Sequence, residues 1–352
     1  MISMVIGLFI LTGVVYVMAN SRKNYETTDY TARLQENARF ALHFLGYDLR
    51  NAGFFGCSDR GTWMVTDPSY GAIEGEDHIS LASSYGDRIR IEYADPNNAL
   101  RVASGATIES ITITINTGAT APYKTSPSGA GIEAGDWIIV SDCSGAEHAI
   151  VLSVTSSSIT LTSSLTRNFS GTPEVRKLIS HRYYVAPTKS GGSFAVLCRE
   201  IQDGAVSDPG SSPGCSCSTA DRGTAPACSN TLERTDLVQG VEHLRALYGE
   251  DTDGDGVANA YRDRASVTSW NSVVAVQLGL LVRSISNYRP DFNTNREFGS
   301  AEAGDMDTKT YNVLDKNTTN GNAVDPVNLR VARRVITETI QIRNAVMNSP
   351  SA

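Results

Sequence analysis

The feature that most constrains this chain is its uncharged, apolar beginning. Residues 1–19 contain no charged side chain and consist mainly of Ile, Val, Leu, Phe and Met. As an α-helix, a segment of this length spans about 28 Å, close to the thickness of the hydrocarbon core of a bilayer. The sequence therefore predicts a helix whose first part has no polar face and needs lipid or other protein around it.

The character of the chain changes at Asn20. From Tyr30 to Ala52, apolar residues recur at three- and four-residue steps among charged ones, which is the pattern of an amphipathic helix. No proline occurs before Pro68, and Gly53 is well placed just past a helix end. We therefore expect one helix over residues 1–53, with an apolar half (1–19) and an amphipathic half (20–53). The expected packing positions are Ser3 and Gly7, as a small-residue pair, and Tyr30, Leu34, Ala38, Leu42, Leu45 and Leu49, as the apolar stripe.

Two other interpretations of residues 1–19 fit part of the pattern. A secretory signal peptide would have a basic segment before a shorter apolar core, and a small-residue cleavage site after it. No Lys or Arg precedes the apolar run here, and Val17-Met18-Ala19 is a poor cleavage motif. A plain single-pass membrane anchor is the second alternative.

The remaining residues, 54–352, have the composition of a β-rich exported domain. The charged fraction of the chain is 19%, and many short runs alternate apolar and polar side chains, which favours strands. The net charge of −8 offers no general basic surface for nucleic acid. Sheet segments are predicted at 88–93, 108–115, 135–143, 148–154, 158–162, 178–186, 194–200, 237–248, 273–284 and 329–344, and loops at 203–230 and 287–326.

The cysteines indicate the compartment of this domain. Their number is even, none forms a C-x-x-C motif, and no histidine lies at zinc-finger spacing from them, so we expect structural disulfides in an exported body. A Cys57–Cys143 bond is favoured because it would tie the end of the helix to the first β section. The other four allow three pairings, and reduced cysteines in a cytosolic body are the alternative. The six are Cys57, Cys143, Cys198, Cys215, Cys217 and Cys228.

An aspartate-rich motif carries the most specific chemistry. Residues 251–256 read Asp-Thr-Asp-Gly-Asp-Gly, which matches the first half of an EF-hand-type calcium loop. Position twelve of such a loop is Arg262 instead of the usual bidentate Glu, with Asp263 one place later. The alternative is a polar hairpin turn between Tyr248 and Tyr261, because Asp-Gly is a strong turn signal. The candidate calcium ligands are Asp251, Asp253, Asp255 and Asp263.

Motifs of catalysis are missing from the sequence. The five histidines are scattered without H-E-x-x-H spacing, and there is no G-x-S-x-G elbow, P-loop or dinucleotide fingerprint. We therefore expect no enzyme, and calcium is the one candidate cofactor.

Two segments, one in the helix and one across its end, carry a resemblance to a known family. Residues 34–42 (LQENARFAL) and 49–57 (LRNAGFFGC) together resemble the minor pilin family PilW of type IV pili. Residues 237–242 and 273–283 resemble the C-terminal sheet of PilW and of the related pseudopilin GspJ. The resemblance implies an α+β, type IV pilin-like fold. In it, a long N-terminal helix packs on an antiparallel β-sheet, with an additional β-rich meander or barrel section.

The same resemblance implies a function. A minor pilin waits in the inner membrane as a single-pass protein with a periplasmic body, then joins the cell-surface pilus, where it primes the filament at or near its tip. The implied partners are other minor pilins and the major pilin through their N-terminal helices, the assembly platform, a leader peptidase and a large tip adhesin. A GspJ-like pseudopilin of a type II secretion system and a membrane-anchored adhesin or ligand-binding module are the alternatives.

The start of the sequence departs from the family pattern. Type IV prepilins carry a short basic leader ending in Gly, followed by a Phe-Thr-Leu-x-Glu stretch, and neither is found in residues 1–19. Because Arg22 and Lys23 follow the apolar run and nothing basic precedes it, the positive-inside rule alone would place the body in the cytoplasm. A basic leader upstream of Met1 would remove this conflict with the cysteines.

Overall fold

The computed structural model consists of one long helix and a set of antiparallel strands. The residues that it describes are 2–56, 72–76, 85–103, 111–169, 171–188, 195–202, 232–284, 311–314, 323–324 and 333–344. The helix is α1 (Ile2–Asn51), and the strands are β1 (Ile73–Glu76), β2 (Arg88–Arg101), β3 (Thr112–Thr114), β4 (Trp137–Asp142), β5 (Gly145–Val154), β6 (Ser158–Leu161), β7 (Glu174–Pro187), β8 (Ala195–Gln202), β9 (Leu232–Gln239), β10 (Val241–Glu250), β11 (Ala260–Arg262), β12 (Val273–Arg283), β13 (Tyr311–Asn312), β14 (Ala323–Val324) and β15 (Arg333–Gln341).

Helix α1 is continuous, as its sequence predicts. Its last turn closes with the N–H of Ala52 donating to the carbonyl of Asp48, and Gly53 then takes a φ of 75°. Glycine is suited to this left-handed conformation because it has no Cβ to clash, so Gly53 ends the helix.

The amphipathic half of α1 is buried along the predicted stripe. Leu34, Ala38, Leu45 and Leu49 are all at most 3% exposed, and Leu42 packs on the same core from a half-buried position. These side chains meet apolar residues from β2, β10, β12 and β15. The stripe is therefore the face through which the helix packs on the sheets.

The N-terminal members of the predicted packing positions are less buried or lie outside the described residues. Tyr30 is half-buried, and a Cβ placed on Gly7 would meet no other atom within 4 Å. The side chain of Ser3 lies outside the described residues. The small-residue pair therefore stays a prediction about contacts with other molecules.

The larger sheet has nine strands and two parts. Its path is β1-β2-β7-β4-β5-β6-β3, and β8 and β9 extend from the second half of β7. Strands β4, β5 and β6 form the predicted meander and enclose a separate apolar core, to which Ile138, Val151 and Phe169 belong. This additional β section stands beside the main core.

The smaller sheet has the order β11-β10-β12-β15 and packs against α1. The nearly continuous apolar strand β12 lies in its centre, between β10 and β15, as its composition predicts. The long helix, the antiparallel sheets and the additional β section together confirm the predicted α+β fold.

The chain passes from the larger sheet to the smaller one through a single residue, Gly240. The sequence predicts 237–248 as one sheet segment, but β9 pairs with β8 in the larger sheet, whereas β10 pairs with β12 in the smaller one. Gly240, with a φ of 81°, is the whole connection. Its N–H donates to the carbonyl of Ala195 on one side, and its carbonyl accepts from the N–H of Arg283 on the other.

Other predicted boundaries also need adjustment. The region 287–326, predicted as a loop, contains the short pair β13 and β14, and Val313 beside it is buried against Leu281. The strand predicted at 108–115 appears as β3, and residues 104–110 lie outside the described part. The whole of the predicted loop 203–230 lies outside it too.

We expect Leu45→Ala to lower the free energy of unfolding by about 2–5 kcal/mol, because it leaves a cavity between α1 and the sheets. Leu152, 59% exposed on β5, provides a matched control, and Leu152→Ala should change stability by about 0.5 kcal/mol or less. Denaturant unfolding of the detergent-solubilised full chain, followed by circular dichroism, measures both. Equal losses from the two variants would contradict the packing of the stripe.

Candidate functional site

The first half of α1 presents an apolar surface that the other described residues of the chain leave uncovered. Residues Met4–Arg22 have a mean hydropathy of 1.9, none of this segment is buried, and it is long and apolar enough to cross a membrane. Leu8, Phe9 and Leu11 are all at least 65% exposed. An apolar surface of this size marks a site that lipid or another protein covers.

A single buried carboxylate joins the second half of α1 to the larger sheet. Asp48 is 2% exposed and points at β2 and β7. Its Oδ1 accepts a hydrogen bond from the Tyr93 hydroxyl at 2.7 Å. Its Oδ2 accepts one from the Tyr183 hydroxyl at 2.6 Å and lies 2.6 Å from Nδ1 of His181. These four residues are called the Asp48 cluster below.

The charge state of the Asp48 cluster follows from its contacts. Burial acts to raise the pKa of Asp48, but the hydrogen bond and charge of His181 and the two tyrosine hydroxyls outweigh it and hold that pKa below its ordinary value. Burial and the nearby carboxylate both raise the pKa of Tyr93 and of Tyr183. At neutral pH the cluster is therefore a carboxylate held by two phenols and a histidine.

Sequence reasoning gave the Asp48 cluster no role. The one available signal was that Asp48 falls three residues after Leu45, on the stripe that is otherwise apolar. A polar residue on a buried helix face needs a partner, so its position alone called for one.

The aspartate-rich motif forms the tip of the predicted hairpin. Strands β10 and β11 pair from Tyr248 opposite Arg262 to Glu250 opposite Ala260. Asp251, Asp253 and Asp255 each offer a carboxylate oxygen, and these oxygens all lie within 4.8 Å of one another. This arrangement agrees with both the turn interpretation and a calcium site, so calcium stays a prediction.

Backbone donors organise this loop around Asp251. Its carboxylate accepts hydrogen bonds from the N–H of Gly254 at 2.7 Å and of Gly256 at 2.8 Å. Partial burial acts to raise the pKa of Asp251, but the bonds from Gly256 and Gly254 outweigh it and lower that pKa. The carboxylate is therefore ionised at neutral pH, as a cation ligand must be.

The fourth predicted ligand, Asp263, is not part of this group. Its carboxylate accepts the N–H of Ser266 at 2.9 Å and caps the 3-10 turn Arg264–Ser266. Arg262, at position twelve, pairs instead with the fully buried Glu250 at 3.0 Å. Within the described residues the candidate ligand set therefore has three aspartates, and calcium would complete its oxygen shell with water or carbonyls.

The described cysteines divide into two kinds. Cys143 is disulfide-bonded to a partner outside the described residues, so its pairing with Cys57 stays a prediction. Cys215, Cys217 and Cys228 also lie outside them.

Cys198 departs from the disulfide prediction. Its thiol is free and buried on β8, where it packs with Tyr184, Ala186 and Val196. Burial raises its pKa to about 12. Strand β8 lies between β7 and β9, and the residues directly opposite Cys198 are Tyr184 on β7 and Asp236 on β9. The paired positions beside this thiol therefore hold no cysteine.

Comparison with known proteins adds a family and a structural likeness. Residues 183–344 match the family model PilW, described as Type IV Pilus-assembly protein W. A solved structure of a type IV-like pilin from Thermus thermophilus is similar at 13% identity over 89% of this chain and 98% of that chain, with a TM-score of 0.33. Comparison with curated protein sequences gave no match. The resemblance to PilW expected from the sequence is confirmed over the matched residues.

The charge on Asp48 predicts a pH dependence. Because its pKa is lowered in the folded state, its ionised form contributes stability above its unfolded pKa of about 3.9. That contribution is lost as the pH falls through the folded pKa. We expect Asp48→Asn to lower the melting temperature clearly at pH 7, and by less near pH 3.

Thermal unfolding of the full chain at both pH values measures this difference. The control is Asp29→Asn, at an exposed pair with Arg33 on the same helix, which should have little effect at either pH. A melting-temperature loss for Asp48→Asn that is the same at pH 3 and pH 7 would contradict the assigned charge.

Calcium should raise the melting temperature of the full chain, because a cation that binds the folded loop stabilises it by mass action. With a three-aspartate set we expect affinity in the range of extracellular modules, on the order of 10⁻⁴–10⁻³ M. Asp253→Asn should remove the shift, whereas Asp29→Asn should keep it. An unchanged melting temperature at about 10 mM calcium, ten times the weak end of that range, would reject the calcium prediction.

Proposed function

Because residues 183–344 match the type IV pilus-assembly family PilW, we propose that this chain is a minor pilin that primes pilus assembly and sits at or near the filament tip. The observation that carries the proposal is the division of α1. One half is a bare apolar helix, and the other is fixed to a β-rich body. A subunit stored in a membrane and later moved into a fibre needs this combination.

The apolar half of α1 suits two environments in turn. In the bilayer its side chains are surrounded by lipid, and in a filament they would pack against the same helix of neighbouring subunits. Gly7 is open to close approach, since a Cβ there would meet nothing within 4 Å. We therefore propose that other minor pilins and the major pilin associate with this chain through their N-terminal helices.

The amphipathic half couples the helix to the body. Its stripe is buried against both sheets, and the Asp48 cluster adds directional bonds from β2 and β7. Movement of the helix out of the membrane would therefore carry the body with it. We propose that the assembly platform draws the subunit outward in this way, after a leader peptidase has cut an upstream leader.

The body suits an exported, infrequent subunit. A disulfide at Cys143 fits an oxidising compartment, which supports a periplasmic body and later a place on the surface pilus. The additional β section beside the main core makes the body bulky. A bulky body would crowd its neighbours in a repeated helical array, which favours a rare tip position, where a large adhesin is a further proposed partner.

This role involves no covalent chemistry. The described residues supply a packing surface, a buried tether and an acidic loop, and the family match is to pilus assembly. We therefore propose a structural protein and not an enzyme.

Deletion of the gene tests the proposal, with surface pili counted by electron microscopy and complementation by matched variants. Wild-type chain should restore pili, whereas Leu11→Arg, which puts a charge into the apolar half, should not. The control is Leu152→Arg on the body, because Leu11 and Leu152 are similarly exposed, at 65% and 59%. We expect Leu152→Arg to restore pili.

Other outcomes would overturn the proposal. Normal pili with lost type II secretion after deletion would indicate a GspJ-like pseudopilin. Intact pili with lost attachment would indicate an adhesin or ligand-binding module. Immunogold labelling along the whole fibre, instead of at its end, would reject the tip position.

A further inference from the structure

A cleft of about 470 Å³ opens beside the Asp48 cluster, between the last turns of α1 and strands β2 and β7. The helix contributes His43, Phe44 and Tyr47 to its walls. Residues 95–98 of β2 form the opposite rim, and Arg199 of β8 lies at its side. This volume is in the range of pockets that hold small organic ligands.

The rim of the cleft is a β-bulge that hydrogen bonds hold in place. Strand β2 leaves its register with β7 between Ala94 and Ala99, so the intervening residues bulge from the sheet. Arg176 donates from Nη1 to the carbonyls of Asp95 at 2.8 Å and Pro96 at 3.1 Å. These two hydrogen bonds fix the backbone of the bulge to strand β7.

The side chain of Asp95 forms further hydrogen bonds within the same bulge. Its carboxylate accepts the backbone N–H of Asn97 at 2.8 Å and Nδ2 of Asn98 at 2.7 Å. The rim is therefore set before any ligand arrives, which lowers the entropic cost of binding.

Several polar groups around the cleft have spare hydrogen-bonding capacity. Within the described part of the chain, the imidazole of His43, the hydroxyl of Tyr47 and the side-chain amide of Asn97 make no hydrogen bond or ion pair. Nε of Arg199 is buried and has no hydrogen-bond partner. Together these groups can both donate and accept hydrogen bonds.

The apolar lining of the cleft includes aromatic rings beside Pro96 and Ile179. Phe44 is half-buried, and Tyr47 stands 51% exposed at the mouth. The carboxylate of Asp48 below is already bonded to three partners, so it does not present a free charge. The Asp95 carboxylate is likewise already hydrogen-bonded, to Asn97 and Asn98. The cleft thus combines aromatic rings and uncharged polar groups with one guanidinium, that of Arg199, and does not present the cluster of like charges that suits phosphates or divalent cations.

We propose that this cleft binds a single sugar residue of a glycan. A sugar ring has apolar C–H faces that pack on aromatic rings, and hydroxyls that donate and accept hydrogen bonds. Tyr47 packs against the ring face, and Asn97 and His43 bond its hydroxyls. Arg199 bonds a hydroxyl of a neutral sugar or the carboxylate of an acidic one.

This inference does not rest on the proposed role in pilus assembly. The cleft lies on the body side of α1, away from the apolar half that the assembly proposal uses. Binding and pilus formation can therefore succeed or fail separately.

Saturation-transfer NMR of the full chain tests the proposal, in a detergent without a sugar headgroup such as lauryldimethylamine oxide. The probes are glucose, galactose and N-acetylglucosamine as neutral sugars, and glucuronic and N-acetylneuraminic acid as acidic ones. At least one should bind with a Kd on the order of 1 mM, as the ligand efficiency of roughly a dozen atoms gives. A lower Kd for one of the two groups of probes shows whether the cleft prefers neutral or acidic sugars.

Variants locate the binding. Tyr47→Ala and Asn97→Ala should each weaken it about tenfold, the loss expected for one packed ring or one hydrogen bond. Tyr261→Ala, which removes another exposed tyrosine from strand β11, should leave the Kd unchanged. Melting temperatures close to wild type show that each variant folds.

Two results would overturn the proposal. One is no transfer signal from any probe at roughly 50 mM, far above the expected Kd. The other is binding that Tyr47→Ala and Asn97→Ala leave unchanged, because the sugar would then bind elsewhere. If pili form normally in either case, the cleft proposal fails while the assembly proposal stands.

Discussion

The structure depends on one carboxylate, that of Asp48, and the three side chains that bond it. The apolar stripe of α1 determines which face of the helix is buried, but apolar contacts are non-directional and specify the exact position of the helix less sharply. Short bonds from Tyr93, Tyr183 and His181 are directional, and moving the helix would leave a buried charge without partners. The Asp48 cluster thus adds directional hydrogen bonds to an otherwise apolar contact between α1 and the larger sheet.

The two halves of α1 have opposite requirements. Within the described residues, the apolar half is not buried against the body, so in the proposed role it can exchange lipid for protein neighbours. The amphipathic half must do the opposite and stay attached through the exchange. One uninterrupted helix meets both demands because its sequence changes character at Asn20 while its backbone does not.

Much of the fold could be predicted because its signals are local. The stripe from Leu34 to Leu49, the meander and the hairpin around Asp251 all follow from residues close in sequence. The Asp48 cluster could not be predicted in this way, because Tyr93 and His181 lie 45 and 133 residues from Asp48. The same limit applies to Cys198, because Asp236, which lies opposite it on β9, is 38 residues away in the sequence.

Gly240 has a consequence for how the chain can vary in length. It is the whole connection between β9 and β10, and each of its backbone groups is bonded to a different sheet. An inserted residue here would have to slide one strand by one position, which exchanges its inward and outward side chains. Relatives with this arrangement should therefore keep a fixed spacing between β9 and β10.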